Sequence, residues 1–353
     1  MIDYLAAALG LQVSNPIFWL PLSFFALFLL VSFLGLLLDG FDIGVGCLTI
    51  LAPNELRARM LALLSPWRDA NELWLLMGLG LLATVFPGAW AGLLSHLYIP
   101  LMLLALGVFL RSVCFEWRLR APEQQQPYWA LGFSLGSLMT AFAHGLLVAQ
   151  IVVSGQWQGG YFWFSLLLGV CAVAAYFLLG ASWLIMRESG VLRVRAVLWA
   201  RRSIRWCAAG LVAASVVLAL ENAGVFLKWT VGARRWSVYF YWAAILGCFV
   251  GVEMCLQRLL HSSVRTTVVP FLLTILIFLA VAFGFVFSYF PFFVLDEVTI
   301  WDAAATLPTL VIVGVFALVA LPFVLFFNIW VYWRLFGVSK PPLVPDFQYP
   351  RSE

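Results

Sequence analysis

Long apolar segments recur along the whole chain, and they constrain its fold more than any other feature. Hydrophobic residues make up 64% of the 353 positions and charged residues only 10%, whereas a soluble domain has about a quarter charged residues. Runs such as 18–38, 270–293 and 307–331 approach or exceed the roughly 20 residues that a helix needs to cross about 30 Å of hydrocarbon. The runs lack the alternation of membrane β-strands, so the sequence predicts an all-α polytopic membrane protein.

The predicted spans form one transmembrane domain over residues 1–353. Nine spans are predicted, at about 17–38, 72–91, 94–115, 129–153, 161–186, 204–220, 237–258, 268–290 and 306–333. We expect helices 1–4 (about 17–153) and helices 5–8 (about 161–290) to form two bundles, followed by helix 9 (about 306–333). The two longest connecting segments, 39–71 and 187–203, are expected to hold short interfacial helices.

Basic residues are concentrated on one side of this predicted arrangement. Seventeen of the 20 Lys and Arg residues lie at or beyond the ends of odd-numbered spans, and only Lys228, Arg234 and Arg235 lie on the other side. Because cytoplasmic loops carry an excess of Lys and Arg, the N-terminus is predicted outside and the C-terminus in the cytoplasm. This orientation and contact with anionic lipid account for the net charge of +4, so no nucleic-acid partner is predicted.

Acidic residues near the predicted cytoplasmic ends of three spans are the strongest candidates for function. They are Asp39, Asp42, Asp69, Glu72 and Glu116. The basic residues at the same predicted depth are Arg68, Arg111 and Arg118. A charged side chain at mid-bilayer costs about 2.5–3.5 kcal/mol on insertion scales, so such residues pair with one another or mark ion pathways. Two interpretations that do not exclude each other stay open: a network of ion pairs that locks the helix ends, and a polar inlet for cytoplasmic protons.

Glycines follow the first of these acidic residues at Gly40, Gly44 and Gly46. We expect them to loosen or end the first helix, because glycine is a poor helix former. The Gly-x-Gly pattern is not a dinucleotide-binding fingerprint, since no strand precedes it and the third glycine is missing.

Candidate metal ligands are scarce. The three histidines are His96 near the outer face, His144 within span four and His261 in a cytoplasmic loop. Together with seven Met residues they cannot readily supply the axial ligands of several haems. We interpret His144 as a hydrogen-bonded core residue, with a partner contact or ligation as alternatives. The six cysteines include no CxxC pair and are interpreted as small apolar residues, so no metal or cofactor is expected in this chain.

The segment 39–46, Asp-Gly-Phe-Asp-Ile-Gly-Val-Gly, closely resembles the D-G-F-D-x-G-V-G motif in subunit II of cytochrome bd-type quinol oxidases. Other segments resemble that family in the same order, and the resemblance covers nearly the whole chain. They are 66–74, 111–118, 180–184, 291–304 and 332–337. Through residues 136–145 the chain resembles the cyanide-insensitive branch of the family somewhat more than the other members.

The resemblance implies a non-haem subunit that forms a heterodimer with a haem-bearing subunit I in the bacterial cytoplasmic membrane. The complex would be an oxidoreductase of the respiratory chain that oxidises quinol and reduces oxygen to water with cytoplasmic protons. Haems b and d, or b alone, would lie in subunit I. The resemblance also allows a small single-span subunit and a bound quinone.

The family's motif positions supply the candidate site residues of this sequence. Asp39, Asp69 and Glu116 are the proton-pathway candidates, with Arg120 as a basic partner at the mouth. No catalytic residue is expected here, because the redox chemistry belongs to subunit I. The other motif positions are expected to serve structure: Gly40, Asp42, Gly44, Gly46, Asn71, Trp74, Arg111, Arg118, Trp183 and Trp301.

The sequence departs from the family pattern near these positions. Arg68 stands where the family usually has Trp, and Ala70 where it has Gly. Ser112 replaces Pro, and Cys114 replaces Gly. A guanidinium next in sequence to Asp69 should stabilise the charged carboxylate, which argues against a relay role for that residue.

Two other functions compete with the oxidase subunit. A polytopic secondary transporter should show polar or broken helices at mid-membrane, whereas the polar residues here gather at one predicted border. In a purely structural membrane scaffold, the charged cluster would serve only to hold the helix ends together through ion pairs.

Overall fold

The computed structural model describes residues 6–7, 10–64, 68–232, 234–261 and 267–336, which form two units, Met1–Ala304 and Ala305–Glu353. The helices of the first unit are α1 (Pro16–Leu48), α2 (Asn54–Leu64), α3 (Arg68–Val85), α4 (Pro87–Arg120), α5 (Gln126–Val152), α6 (Gly160–Arg187), α7 (Gly190–Glu221), α8 (Ala223–Thr230), α9 (Arg234–His261), α10 (Val269–Tyr289) and α11 (Ile300–Ala303). Strands β1 (Phe292–Val294) and β2 (Val298–Thr299) pair antiparallel between α10 and α11. The second unit contains α12 (Leu307–Phe336).

The described helices confirm the predicted all-α polytopic class. Eight of them are long and apolar enough to cross a membrane, namely α1, α4, α5, α6, α7, α9, α10 and α12. The second predicted span, at about 72–91, corresponds to α3, whose 18 residues extend about 27 Å. Orientation in the membrane and the grouping of the first eight spans into two bundles stay predictions.

The glycines of α1 serve a helix contact, and the prediction that they loosen or end the helix is wrong. Helix α1 continues through Gly40, Gly44 and Gly46 to its end ten residues beyond the predicted boundary at 38. A methyl group on Gly44 would overlap the carbonyl oxygen of Tyr176 and lie 2.8 Å from the nitrogen of Gly180. The backbones of α1 and α6 therefore touch at this point, which only residues without a side chain permit.

Two further boundaries differ from the prediction. The break between α3 and α4 lies at Phe86, directly before Pro87, and not at about 91–94. Proline lacks the N–H of the helix ladder and restricts the residue before it, so a new helix begins there. Helix α7 is continuous from Gly190, so residues 190–203 belong to the long helix and do not form a separate interfacial one.

Helix α1 packs against α3, α5 and α6, and aromatic contacts hold it near both ends. The Phe41 ring stacks on Trp183 of α6 with 5.2 Å between the ring centroids. Near the start of α1, Phe18 stacks on Trp301 of α11 at 5.4 Å, and Trp301 Nε1 donates a hydrogen bond to the Phe18 carbonyl oxygen. These contacts fix the position of α1, which carries Asp39 and Asp42 near its C-terminal end.

Candidate functional site

Charged side chains from α1, α3 and α4 meet at one end of the first unit. Helices α1 and α4 end there and α3 begins there, so residues far apart in sequence reach the same depth. The residues are Asp39 and Asp42 of α1, Arg68 and Glu72 of α3, and Arg111 and Glu116 of α4. We call this set, together with Arg120, the acidic network.

The innermost contact of the acidic network is a buried ion pair. Arg111 Nη1 donates to Oδ1 of Asp39 at 2.6 Å and to Oδ2 at 2.8 Å. The side chains are 0% and 3% exposed. Nε and Nη2 of Arg111 have no hydrogen-bond partner among the described residues. The desolvation of two charges opposes their attraction, so this pair is weak support for a purely stabilising role.

Glu72 connects this pair to the next guanidinium. It accepts a hydrogen bond of 2.7 Å from Arg68 Nη1 and one of 3.1 Å from the Ser112 hydroxyl. Its Oε1 lies 3.8 Å from Arg111 Nη1. Ser112, which replaces the proline of the resembling motif, thus supplies a hydroxyl donor that proline lacks.

The outer part of the acidic network reaches the protein surface through Glu116. Its Oε1 lies 3.5 Å from Arg68 Nη2, and its Oε2 lies 3.9 Å from Arg120 Nη2. Glu116 is 44% exposed and Arg120 74%, whereas Arg68 is 2% exposed and lies 4.5 Å from the Phe115 ring centroid. The acidic network therefore runs from the surface to a buried carboxylate.

Asp42 forms a separate arm. Asn71 Nδ2 donates to its Oδ2 at 2.7 Å, and both side chains are fully buried. Oδ1 of Asp42 has no hydrogen-bond partner among the described residues. Trp74, three residues beyond Asn71 on α3, is also buried. This arm joins α1 to α3 beside the Asp39–Arg111 pair.

The remaining predicted site residues lie in different surroundings. Asp69 belongs to α3, but its side chain lies outside the described residues. Arg118 is half-buried, and within the described part of the chain it forms no ion pair. Gly46 packs against Ser137 of α5, and Gly40 against Tyr176 and Leu179 of α6.

His144 lies outside the acidic network. Its Nδ1 is 2.9 Å from the Tyr176 hydroxyl, so it is hydrogen-bonded inside the helix bundle. The His261 side chain lies outside the described residues. Across the residues that the structure describes, no three His, Cys, Asp or Glu side chains gather as a metal site.

Sequence reasoning placed Glu72 in the charged cluster but not among the proton-pathway candidates. The structure puts it between Arg68 and Arg111, where it links the outer and inner parts of the acidic network. Its spacing of four residues from Arg68 on a helix was the available signal, because such residues lie on the same face.

Chemically, only some members of the acidic network can exchange protons. Guanidinium groups stay charged and donate hydrogen bonds, whereas carboxylates can accept a proton. Glu116, Glu72 and Asp39 are the carboxylates that follow one another from the surface inward. The arrangement can therefore fix the ends of three helices, and three of its members are groups that can accept a proton.

Comparison with known proteins identifies similar sequences over most of the chain. The sequence model of the family described as cytochrome bd terminal oxidase subunit II matches residues 20–335. The chain is 26% identical over 377 aligned residues to cytochrome bd-I ubiquinol oxidase subunit 2 of Escherichia coli (strain K12), with 96% of each protein covered. It is 38% identical over 117 residues to cytochrome bd ubiquinol oxidase subunit 2 of Bacillus subtilis (strain 168), covering 32% of this chain and 35% of that protein.

A solved structure shares the fold. The structure of bd oxidase from Geobacillus thermodenitrificans matches with a TM-score of 0.73 and 14% sequence identity. The match covers 91% of this chain and 99% of that chain.

Proposed function

Because the chain belongs to the cytochrome bd terminal oxidase subunit II family, we propose that it scaffolds the haem-bearing subunit I and admits cytoplasmic protons for the reduction of oxygen. The complex is a quinol oxidase of the bacterial cytoplasmic membrane, and this chain is one of its membrane-spanning subunits. The family carries its haems in the partner subunit.

The observation that carries the proton proposal is the graded exposure of the acidic network. Its outermost carboxylate, Glu116, is 44% exposed, Glu72 is 19% exposed, and Asp39 is 3% exposed. Arg68 lies within 3.5 Å of both Glu116 and Glu72, and Arg111 lies within 3.8 Å of both Glu72 and Asp39, so a guanidinium bridges each successive pair of carboxylates. A proton taken up at Glu116 would therefore meet a second and a third acceptor on its way into the membrane.

The energetics of buried charge support a functional role. Replacing a buried ion pair by apolar residues of similar volume is often neutral or stabilising. Holding the helix ends together therefore does not require charged residues. Ionisable residues within membrane spans typically mark ion or proton pathways. The predicted orientation, with 17 of the 20 basic residues on the cytoplasmic side, would place the exposed end of the acidic network towards the cytoplasm.

Glu72→Gln tests the proposal, because it removes a proton acceptor but keeps shape and hydrogen bonding. We expect the assembled oxidase to keep its haem absorbance and to lose about tenfold or more of its quinol-dependent oxygen consumption, since positioned proton transfer contributes about 10²–10⁴-fold. Glu116→Gln at the exposed end should act in the same direction.

Glu253→Gln is the matched control. Glu253 of α9 also forms a partly buried ion pair, at 3.1 Å from Arg201 of α7, but it lies outside the acidic network. Its loss should leave turnover unchanged. Equal turnover in the wild type, Glu72→Gln and Glu116→Gln would leave the scaffold role alone, which is the competing function.

The finer composition of the complex rests on the resemblance. We expect haems b and d, or b alone, in subunit I, with quinol as the electron donor. A small single-span subunit and a bound quinone are compatible with this assembly.

A further inference from the structure

We propose that Arg202 and Arg205 of α7 together bind the phosphate of an anionic phospholipid in the cytoplasmic leaflet. The proposal goes beyond the function above and does not depend on it. Both arginines are exposed, and they lie three residues apart on the helix, so they share one face. Within the described part of the chain, neither of them forms an ion pair. Their positive charges therefore need a counterion from the surroundings of the protein.

The face of α7 that carries these arginines is otherwise apolar. Leu198, Val212 and Val216 lie on the same side of the helix and are 43%, 56% and 51% exposed. Because α7 is long and apolar enough to cross a membrane, this face is expected to meet lipid. A charged side chain that faces hydrocarbon is costly. The two arginines should therefore lie where lipid phosphates can reach them.

The length of α7 places the arginines at the edge of the hydrocarbon. The helix ends at the exposed Glu221, and a rise of 1.5 Å per residue puts Arg205 about 24 Å and Arg202 about 29 Å from that end. The hydrocarbon core of a bilayer is about 30 Å thick. Trp206 is 51% exposed beside Arg205, and tryptophan is enriched at membrane borders.

The neighbouring helix α9 carries charge at a similar depth. Glu253 lies about 27 Å along α9 from Arg235, which is on the predicted outer side. The Glu253 carboxylate lies 3.1 Å from Arg201 of α7. This ion pair uses Arg201 and leaves the adjacent Arg202 on the exposed face. Both helices thus support the same position for the cytoplasmic border of the membrane.

A lipid phosphate fits this pair of cations. Arginine presents its N–H groups in a planar fork and binds phosphate through paired hydrogen bonds. The anionic lipids of the cytoplasmic leaflet attract basic residues near the membrane surface. Acyl chains can also cover Val212 and Val216, which inorganic phosphate cannot do. The combination of two arginines with an exposed apolar face therefore favours a phospholipid over free phosphate.

Native mass spectrometry of the assembled oxidase, stripped of lipid and titrated with phosphatidylglycerol, tests the site. Arg202→Gln and Arg205→Gln should each weaken the tightest binding by about fivefold, and the double variant by about 30-fold. Replacing both arginines by lysine keeps the charges but loses the paired hydrogen bonds, and should weaken binding less. Because both arginines are exposed, the variants are expected to assemble.

Arg235→Gln is the matched control. Arg235 is also exposed, but it lies at the predicted outer end of α9, so its loss should leave the affinity unchanged. An equal loss in Arg235→Gln and Arg202→Gln would show a general effect of net charge and overturn the proposal. Equal affinity of the wild type for phosphatidylcholine and phosphatidylglycerol would contradict an anionic lipid. Displacement of the lipid by millimolar inorganic phosphate would assign the site to free phosphate instead.

Photocrosslinking locates the bound lipid. A phosphatidylglycerol with a photoreactive headgroup should label α7 between Leu198 and Trp206 in the wild-type oxidase, and this label should be lost when both arginines are replaced by glutamine. Labelling confined to other helices, or labelling of α7 that survives the double replacement, would overturn the proposal.

Discussion

The contacts of Arg68 show what the sequence revealed at the scale of single residues and what it did not. The sequence predicts that Arg68 stabilises Asp69, whose side chain lies outside the described residues. Among the described residues, Arg68 contacts Glu72 and Glu116. Helix geometry explains the contact with Glu72, because residues four apart share a face of the helix. The contact with Glu116 joins two helices, and no spacing within one segment could have predicted it.

Arg111 yields a prediction on stability. Arg111→Gln leaves Asp39 buried without its ion pair, which should destabilise the protein by about 3–5 kcal/mol. Arg111→Lys keeps a positive charge and should cost less. Thermal unfolding of the purified complex in detergent measures both.

The double variant Asp39→Asn with Arg111→Gln is the control for this pair. It removes both charges, so it should be more stable than Arg111→Gln alone. A double variant no more stable than the single one would show that the ion pair is not the cause of the loss.

At the scale of helices, the apolar runs predicted the existence and the order of the membrane-spanning helices, but several predicted helix ends were misplaced. Glycine lowers helix propensity, yet α1 continues through three glycines because its contact with α6 requires them. Tertiary packing determines where α1 ends, and the sequence of α1 alone does not reveal that α6 packs against its glycines. The break at Pro87, by contrast, was readable from the chain itself.

Gly44→Ala tests the close contact of α1 and α6. The added methyl group would meet backbone atoms of Tyr176 and Gly180, which cannot move aside as a side chain can. We expect destabilisation by about 1–3 kcal/mol, as for other overpacked positions. Gly80→Ala on α3 is the matched control, because nothing lies within 4 Å of its added methyl group. It should be neutral or slightly stabilising, since alanine favours helix. Similar unfolding temperatures for both variants would contradict the contact.

At the scale of the whole molecule, orientation is the prediction to test. Because 17 of the 20 basic residues are predicted on the cytoplasmic side, Glu123 between α4 and α5 should lie inside and Glu297 between β1 and β2 outside. A membrane-impermeant maleimide applied to intact spheroplasts should label Glu297→Cys at once and Glu123→Cys only after lysis. The six native cysteines are buried or half-buried, so their labelling should be low. The reverse pattern would invert the proposed proton route.

The fold class followed from composition and run length, because a bilayer accepts few backbone architectures. The acidic network could be predicted only in part, because the sequence indicated which charged residues lie at the same membrane depth but not which of them form pairs. The partners of each charge depend on how α1, α3 and α4 are arranged side by side, which run length does not specify.

The touching backbones of Gly44 and Gly180 have a mechanical consequence. Side chains absorb small shifts between helices by changing rotamer, but peptide groups in direct contact cannot. Helices α1 and α6 therefore cannot slide past each other at this contact, which lies about one helical turn from Asp39 and Asp42. An uncharged backbone contact thus limits how far the Asp39 and Asp42 carboxylates can move relative to α6.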